Sequence, residues 1–274
     1  MLIALIHKSR AKAEGLTEDE ITSTIFNPLK FMASHDAWQA FCEAGLISQP
    51  PLPPNSIPKR HFVDFWPTFK NPDPGEPGFD DWYRESPDVL FRFEFEGAQE
   101  LWLILEVKWN APASGQDDEG RNTQLAHQWI AVTGSDQANS VRAKGNLIIK
   151  HTYLTKNFSD AWKGKADTQM CAARNFDRSQ RNQWAANFLP LTWADLRANL
   201  ENVARLDLRQ SNSSQLCCWA AAASEFLKIK NVMPFHGFGQ VDPPDERTNY
   251  SFGLRSVPFV WPSVCLREPF RFGI

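Results

Sequence analysis

The chain has 274 residues, 42% of them hydrophobic and 22% charged, with 29 basic against 32 acidic side chains and a net charge of -3. That length supports one sizeable core, with or without an appended subdomain. The near-neutral balance counts against a protein that coats nucleic acid through bulk positive charge, and leaves open an enzyme whose basic surface is local.

Five cysteines, at 42, 171, 217, 218 and 265, form no C-x-x-C pair. Neither a zinc ribbon nor a disulfide framework is indicated, and reduced thiols in a cytoplasmic protein are expected. In the opening run MLIALIHKSR the charges follow a short apolar stretch, the reverse of a secretory signal. Nothing approaches the roughly 20 apolar residues of a membrane span, so no membrane contact is expected. The 11 tryptophans and 20 phenylalanines are read mainly as core, since aromatics bury large areas.

In chain order, Thr17 followed by Glu20 is a capping-box signature. Ile21, Ile25, Leu29 and Met32 then recur at helical spacing and define one buried stripe, which Pro28 kinks or interrupts. A second short helix is predicted from His35 to Ala44, ending near Gly45. The segment from Gln49 to Pro58 carries five prolines and must be extended. A short strand is predicted over Lys59 to Trp66, and Asn71 to Gly78 reads as a loop. Two strands follow. Asp88 to Phe95 alternates, with Val89, Phe91, Phe93 and Phe95 on one face and Asp88, Leu90, Arg92 and Glu94 on the other. Leu101 to Lys108 is almost continuously apolar, as a central strand buried on both faces should be, yet it ends in Glu106 and Lys108.

A polar loop over Asn110 to Gly120 precedes a predicted helix from Thr123 to Thr133. Further strands are predicted over Asn146 to Thr155 and Phe188 to Thr192. A helix capped by Thr192 then runs to Ala204, and another spans Leu216 to Lys230. This order implies an α/β fold with a mixed central sheet flanked by helices. The predicted organisation is a domain over 1–205, interrupted by a proline-rich insertion at about 49–78. Residues 206–274 form a helical and aromatic C-terminal extension of unassigned role.

If the hairpin turns at Gly97, residues whose numbers sum to 194 lie opposite one another, and Asp88 and Glu106 are such a pair. Two carboxylates then face each other about 5 Å apart at Cβ. Glu106 and Lys108 are two apart on one strand and share a face. Charges at the end of a buried sheet are costly unless compensated. A pair of carboxylates suits a hard divalent cation such as Mg2+, which keeps several of its waters. The cation would polarise a phosphoryl oxygen and acidify a bound water, and the lysine would orient that water and stabilise developing charge. These are parts for hydrolysing a phosphodiester.

Pro87-Asp88 followed by Glu106-Val107-Lys108 resembles the PD-(D/E)XK nuclease superfamily, the acids being 18 residues apart. The resemblance implies a restriction-endonuclease-like core in which Asp88, Glu106 and the Val107 carbonyl hold Mg2+, with Mn2+ able to substitute, and Lys108 works on the attacking water. The run TEDEITSTIF is similar to the first helix of a defence-associated branch, which implies Glu18 as a further metal-site acid; its helical phase with Ile21 and Ile25 turns it toward the sheet. The resemblance also implies a glutamine on the following helix as a catalytic member. Gln124 fits better than Gln128, one turn later on the same face. His127 between them is read as structural or exposed. The densest basic region, with Lys163, Lys165, Arg174, Arg178 and Arg181, is the candidate contact for a phosphate backbone.

The expectation is a Mg2+-dependent DNA endonuclease leaving 5′-phosphate ends, of an anti-phage defence or restriction type. No G-x-x-x-x-G-K-[ST], H-E-x-x-H or G-x-S-x-G occurs, so the chain carries no nucleotide motor of its own. Target choice is then expected from a partner protein, an ATPase or sensor, or from homo-oligomerisation. The alternatives are a catalytically silent nucleic-acid-binding or scaffold subunit and an RNA-cleaving enzyme.

Overall fold

The computed structural model describes residues 18–47, 50–53, 56–70, 84–109, 124–156, 178–205, 214–230 and 232. They belong to a compact unit that runs from Met1 to Phe235; a second unit, His236–Ile274, lies outside the described residues, as do Thr17 and the loops predicted at 71–78 and 110–120.

Helix α1 (Glu18–Phe26) opens with three acids, Glu18, Asp19 and Glu20, at the positive end of its dipole. Its stripe is buried at Ile21, Ile25 and, beyond the helix, Leu29, while Met32 is half-buried. Pro28 ends the regular helix by removing an N–H, and the chain continues as a 3-10 turn over Asn27–Phe31. Helix α2 (Ser34–Glu43) stops before Gly45, whose φ of +70° is the left-handed conformation common after helix ends. The described prolines between 50 and 58 lie in irregular backbone.

The central sheet contains β1 (Arg60–Phe65), β4 (Val89–Glu94), β5 (Gln99–Val107), β6 (Asn146–Thr155) and β7 (Phe188–Thr192), in the spatial order β1-β4-β5-β6-β7. The pairs β1–β4 and β4–β5 are antiparallel, while β5–β6 and β6–β7 are parallel, so the sheet is mixed. A separate two-stranded ribbon joins β2 (Phe69–Lys70) to β3 (Arg84–Glu85). The fold is α/β, with helices on both sides of the sheet.

Alternation divides the core into two layers. Val89, Phe91, Phe93, Leu103, Leu105 and Val107 face α1, α2, α6 (Trp193–Ala204) and α7 (Ser214–Ile229). Leu90, Trp102, Ile104 and Ile149 face α3 (Gln124–Thr133), α4 (Asp136–Arg142) and α5 (Arg178–Asn187). The first layer is largely aromatic: Phe41 meets Phe91 edge-on at 4.4 Å, and Trp38 meets Phe93 and Phe95 at 5.4 and 5.3 Å. Such pairs add about 0.5–1.5 kcal/mol each beyond their buried area.

The β4–β5 register runs from Val89 opposite Leu105 to Glu94 opposite Glu100, the pairing the sequence predicts. Its turn, Glu96–Ala98, holds Gly97 at φ +71°. Gly145 passes so close to this turn that a Cβ there would sit 1.9 Å from the Ala98 carbonyl oxygen.

The structure adds elements that sequence periodicity leaves unassigned: the β2–β3 ribbon, α4 with its Ser135 cap, and α5. It also moves the boundary drawn at 205. Helix α7 buries Leu216, Trp219, Ala220 and Leu227 in the first layer, and the Trp219 indole donates to the Ile25 carbonyl at 2.8 Å. The compact unit therefore extends to Phe235, because this helix is part of the same core.

Candidate active site

Asp88 and Glu106 lie on the α3 face of the sheet, by the alternation that points Leu90 and Ile104 the same way. Asp88 directly precedes β4. Its carbonyl accepts the Trp66 N–H at 3.0 Å and its Oδ2 accepts the Val107 N–H at 2.7 Å. These bonds fix the side chain across the top of the hairpin. Lys108 continues the parallel ladder one residue past β5, donating its N–H to the Leu154 carbonyl at 2.7 Å. The Lys108 carbonyl accepts from the Trp193 indole at 3.0 Å. The charged ends thus stand on a backbone held from both sides.

Glu106 is 1% exposed. Its Oε1 accepts from Lys108 Nζ at 2.6 Å and from Gln124 Nε2 at 2.9 Å, and its Oε2 accepts from Gln128 Nε2 at 2.7 Å. Gln124 and Gln128 occupy successive turns of one face of α3, which is why both amides reach one carboxylate. Lys108 Nζ also donates to Glu18 Oε1 at 3.2 Å, while Glu18 Oε2 accepts the Trp109 N–H at 2.8 Å. Helix α1 therefore contributes its first residue to the end of the central strand. Asp88, Glu106, Lys108, Glu18 and Gln124 converge, with Val107 buried between the acids, and Gln128 joins them.

Glu106 and Glu18 contact the one ammonium, Asp88 acts on it electrostatically, and the surplus is negative. Burial, then the charge of Glu106, pushes the Asp88 carboxyl well above the usual carboxylate range, against the pull of Lys108 and the Val107 N–H. Burial alone would lower the Lys108 ammonium, but Glu106, Asp88 and Glu18 outweigh it and hold the group protonated. A buried cluster with excess negative charge is stabilised by added positive charge. The donors are hard oxygens, and Gln128 Oε1 is buried with no hydrogen-bond partner among the described residues. That chemistry fits Mg2+, which binds through one or two carboxylates and keeps its waters. No group of three or more His, Cys, Asp or Glu side chains among the described residues forms a ready-made cage. Water and substrate oxygens would complete the shell.

Of the basic residues singled out by sequence, Lys163, Lys165 and Arg174 lie outside the described residues. Arg178 and Arg181 fall on α5, where Arg181 is half-buried. His127 is buried, with Nδ1 3.7 Å from Glu85 Oε1. It links α3 to the β2–β3 ribbon, in keeping with a structural role.

Three participants escape motif reasoning. Gln128, placed behind Gln124 by sequence, contacts Glu106 from a fully buried position; its signal was the shared helical face. Trp109 and Trp193 meet edge-on at 5.2 Å and brace the strand end. Only the location of Trp109 directly after Lys108 hints at this. Compared with family models, curated proteins and solved structures, the chain has no match.

Proposed function

We propose that the chain is a Mg2+-dependent DNA endonuclease whose reaction centre is Asp88, Glu106 and Lys108. The observation that carries this reading is the pairing of Glu106 and Glu18 with one buried lysine at the end of the central strand, with Asp88 held beside them by the Val107 N–H. Asp88, Glu106 and the Val107 carbonyl would hold the cation, with Glu18 beside them. The cation supplies charge stabilisation at the phosphoryl group and an acidified water. Lys108, kept protonated by its neighbours, offers a proton-rich ammonium to the attacking water or to the phosphoryl oxygens. Gln124 and Gln128 hold Glu106 in place. Resemblance to the PD-(D/E)XK superfamily supports 5′-phosphate products and a defence or restriction role, with a partner protein or a second copy selecting the target.

One observation favours a second reading. Both Glu106 oxygens already carry donors, Oε1 from Lys108 and Gln124 and Oε2 from Gln128. A silent nucleic-acid-binding or scaffold subunit would keep this closed arrangement permanently. The test is incubation of the purified chain with supercoiled plasmid and, in parallel, with RNA, in Mg2+ or Mn2+ and in EDTA. Metal-dependent nicking or linearisation of the plasmid is expected. Cleavage of RNA alone would transfer the site to the other substrate, and no cleavage of either would overturn the enzyme reading.

A further inference from the structure

We infer that Lys156 binds a backbone phosphate of the nucleic acid beside the one being cleaved, with Trp109 as its support; this rests on the nuclease reading above. Lys156 follows β6 directly. Because the Lys108 N–H bonds to the Leu154 carbonyl, the chain from Leu154 to Lys156 runs parallel beside Val107 to Trp109. Lys108, level with Thr155, and Lys156, level with Trp109, therefore both leave the carboxyl ends of neighbouring parallel strands, the edge at which open α/β sheets take their ligands.

The two lysines are in opposite electrostatic situations. Lys108 is buried and engaged by Glu106 and Glu18. Lys156 is exposed, and its ammonium lies over the ring of Trp109, with Nζ 5.3 Å from the centroid. That ring is itself fixed, edge-on against Trp193 and tied through its backbone N–H to Glu18. A cation over an indole face has its long stem held in place. A polyanion approaching the reaction centre meets a surplus of carboxylates. An exposed, oriented ammonium at the rim, with no acid against it among the described residues, offsets that repulsion and sets the register of the strand, as phosphate contacts do.

The test is fluorescence-anisotropy binding of a labelled DNA duplex to the full chain in EDTA, across a salt series, with a single-stranded RNA of equal length as the second arm. Removing one phosphate contact reduces the slope of log K against log[salt] by about 0.9 for duplex DNA. Lys156→Gln should show that reduction and a several-fold weaker affinity, and Lys156→Arg should restore both. Lys59→Gln, which removes a lysine paired with Glu96 near the hairpin turn, should behave as wild type. Wild-type binding to DNA with unchanged slope and affinity in Lys156→Gln overturns this inference alone. Absence of DNA binding by the wild type at any salt overturns it together with the DNA reading, and a Lys156 effect confined to the RNA arm replaces the ligand.

Discussion

Glu18 Oε1 lies 3.2 Å from Lys108 Nζ although 90 residues separate them in the chain. The same carboxylate takes the Trp109 N–H through its other oxygen, so one side chain both charges and braces the end of β5. Glu18→Gln keeps an acceptor for the Trp109 N–H and removes the charge. Loss of a supporting group of this kind costs roughly 10–100-fold in metal affinity or activity. Glu18→Gln should lose about that much cleavage rate while its thermal midpoint stays near wild type, read by cleavage kinetics and a melting curve on the same preparation. Full activity would remove Glu18 from the site.

Asp88 couples function to instability. Its carboxyl is raised by burial and by Glu106, so without a cation its ionisation opposes folding. The sign follows: the folded form binds the proton more tightly than the unfolded form, and stability is lost as pH rises through the folded value. Asp88→Asn retains an oxygen for the Val107 N–H and cannot ionise. In EDTA at neutral pH it should melt above wild type. Added Mg2+ should raise the wild-type midpoint and leave the variant where it was. A variant that melts lower in EDTA would contradict this electrostatic account.

The glutamines differ in depth. Gln128 is fully buried and Gln124 is half-buried, and each donates to Glu106. A hydrogen bond to a charged group contributes about 1.5–3 kcal/mol. Gln128→Leu should therefore lower stability by an amount in that range, and Gln124→Leu by less, because water can replace its amide. Chemical denaturation of both variants decides; a larger loss at Gln124 would reverse the assignment.

Much of this site was legible in the sequence because its spacings are those of regular elements. Alternation from Val89 to Phe95, with a glycine able to take φ +71° at the turn, fixes the hairpin register and so places Asp88 beside Glu106. Helical phase with Ile21 and Ile25 brings Glu18 inward. The elements left unassigned lack such patterns. The β2–β3 ribbon has two residues per strand, too few for any period. Helix α5 buries Trp184 amid polar side chains, so it has no stripe. Helix α7 reads as a separate extension because a polar break precedes it, and only tertiary packing of Trp219 against α1 shows otherwise. The edge of Trp109, Trp193 and Lys156 depends on contacts between distant segments, which no local spacing encodes.

In the layer that faces α3 and α5, His151 is fully buried, its Nδ1 accepting the Trp184 indole N–H at 3.1 Å. Burial lowers its pKa to about 3. As pH falls below the unfolded value of about 6.5, the unfolded chain takes up a proton that the folded chain refuses. This residue therefore reduces stability by about 1.4 kcal/mol per pH unit between those values. His151→Asn does not titrate in this range. Denaturant unfolding at pH 7.5 and pH 5.5 should show a drop about 1 kcal/mol larger in wild type than in the variant. Equal drops would contradict a neutral buried imidazole.

Gly145 tests the hairpin support. A Cβ there would meet the Ala98 carbonyl oxygen at 1.9 Å, and backbone cannot yield as a flexible side chain can. Overpacking of this kind costs about 1–3 kcal/mol. Gly145→Ala should be destabilised by that amount in denaturant unfolding, and a wild-type midpoint would show that the turn and the β6 approach are not in close contact.

The most direct measurement of the central claim is cleavage of supercoiled plasmid in Mg2+ by wild type, Lys108→Ala and Asp88→Asn, each first shown to be folded by circular dichroism. The account predicts nicked and linear products with wild type and at least a roughly 100-fold loss in both variants, the scale of removing one main stabilising group from a reaction centre. Equal cleavage by the folded variants would contradict it, because the charges gathered at the end of β5 would then have no part in the chemistry.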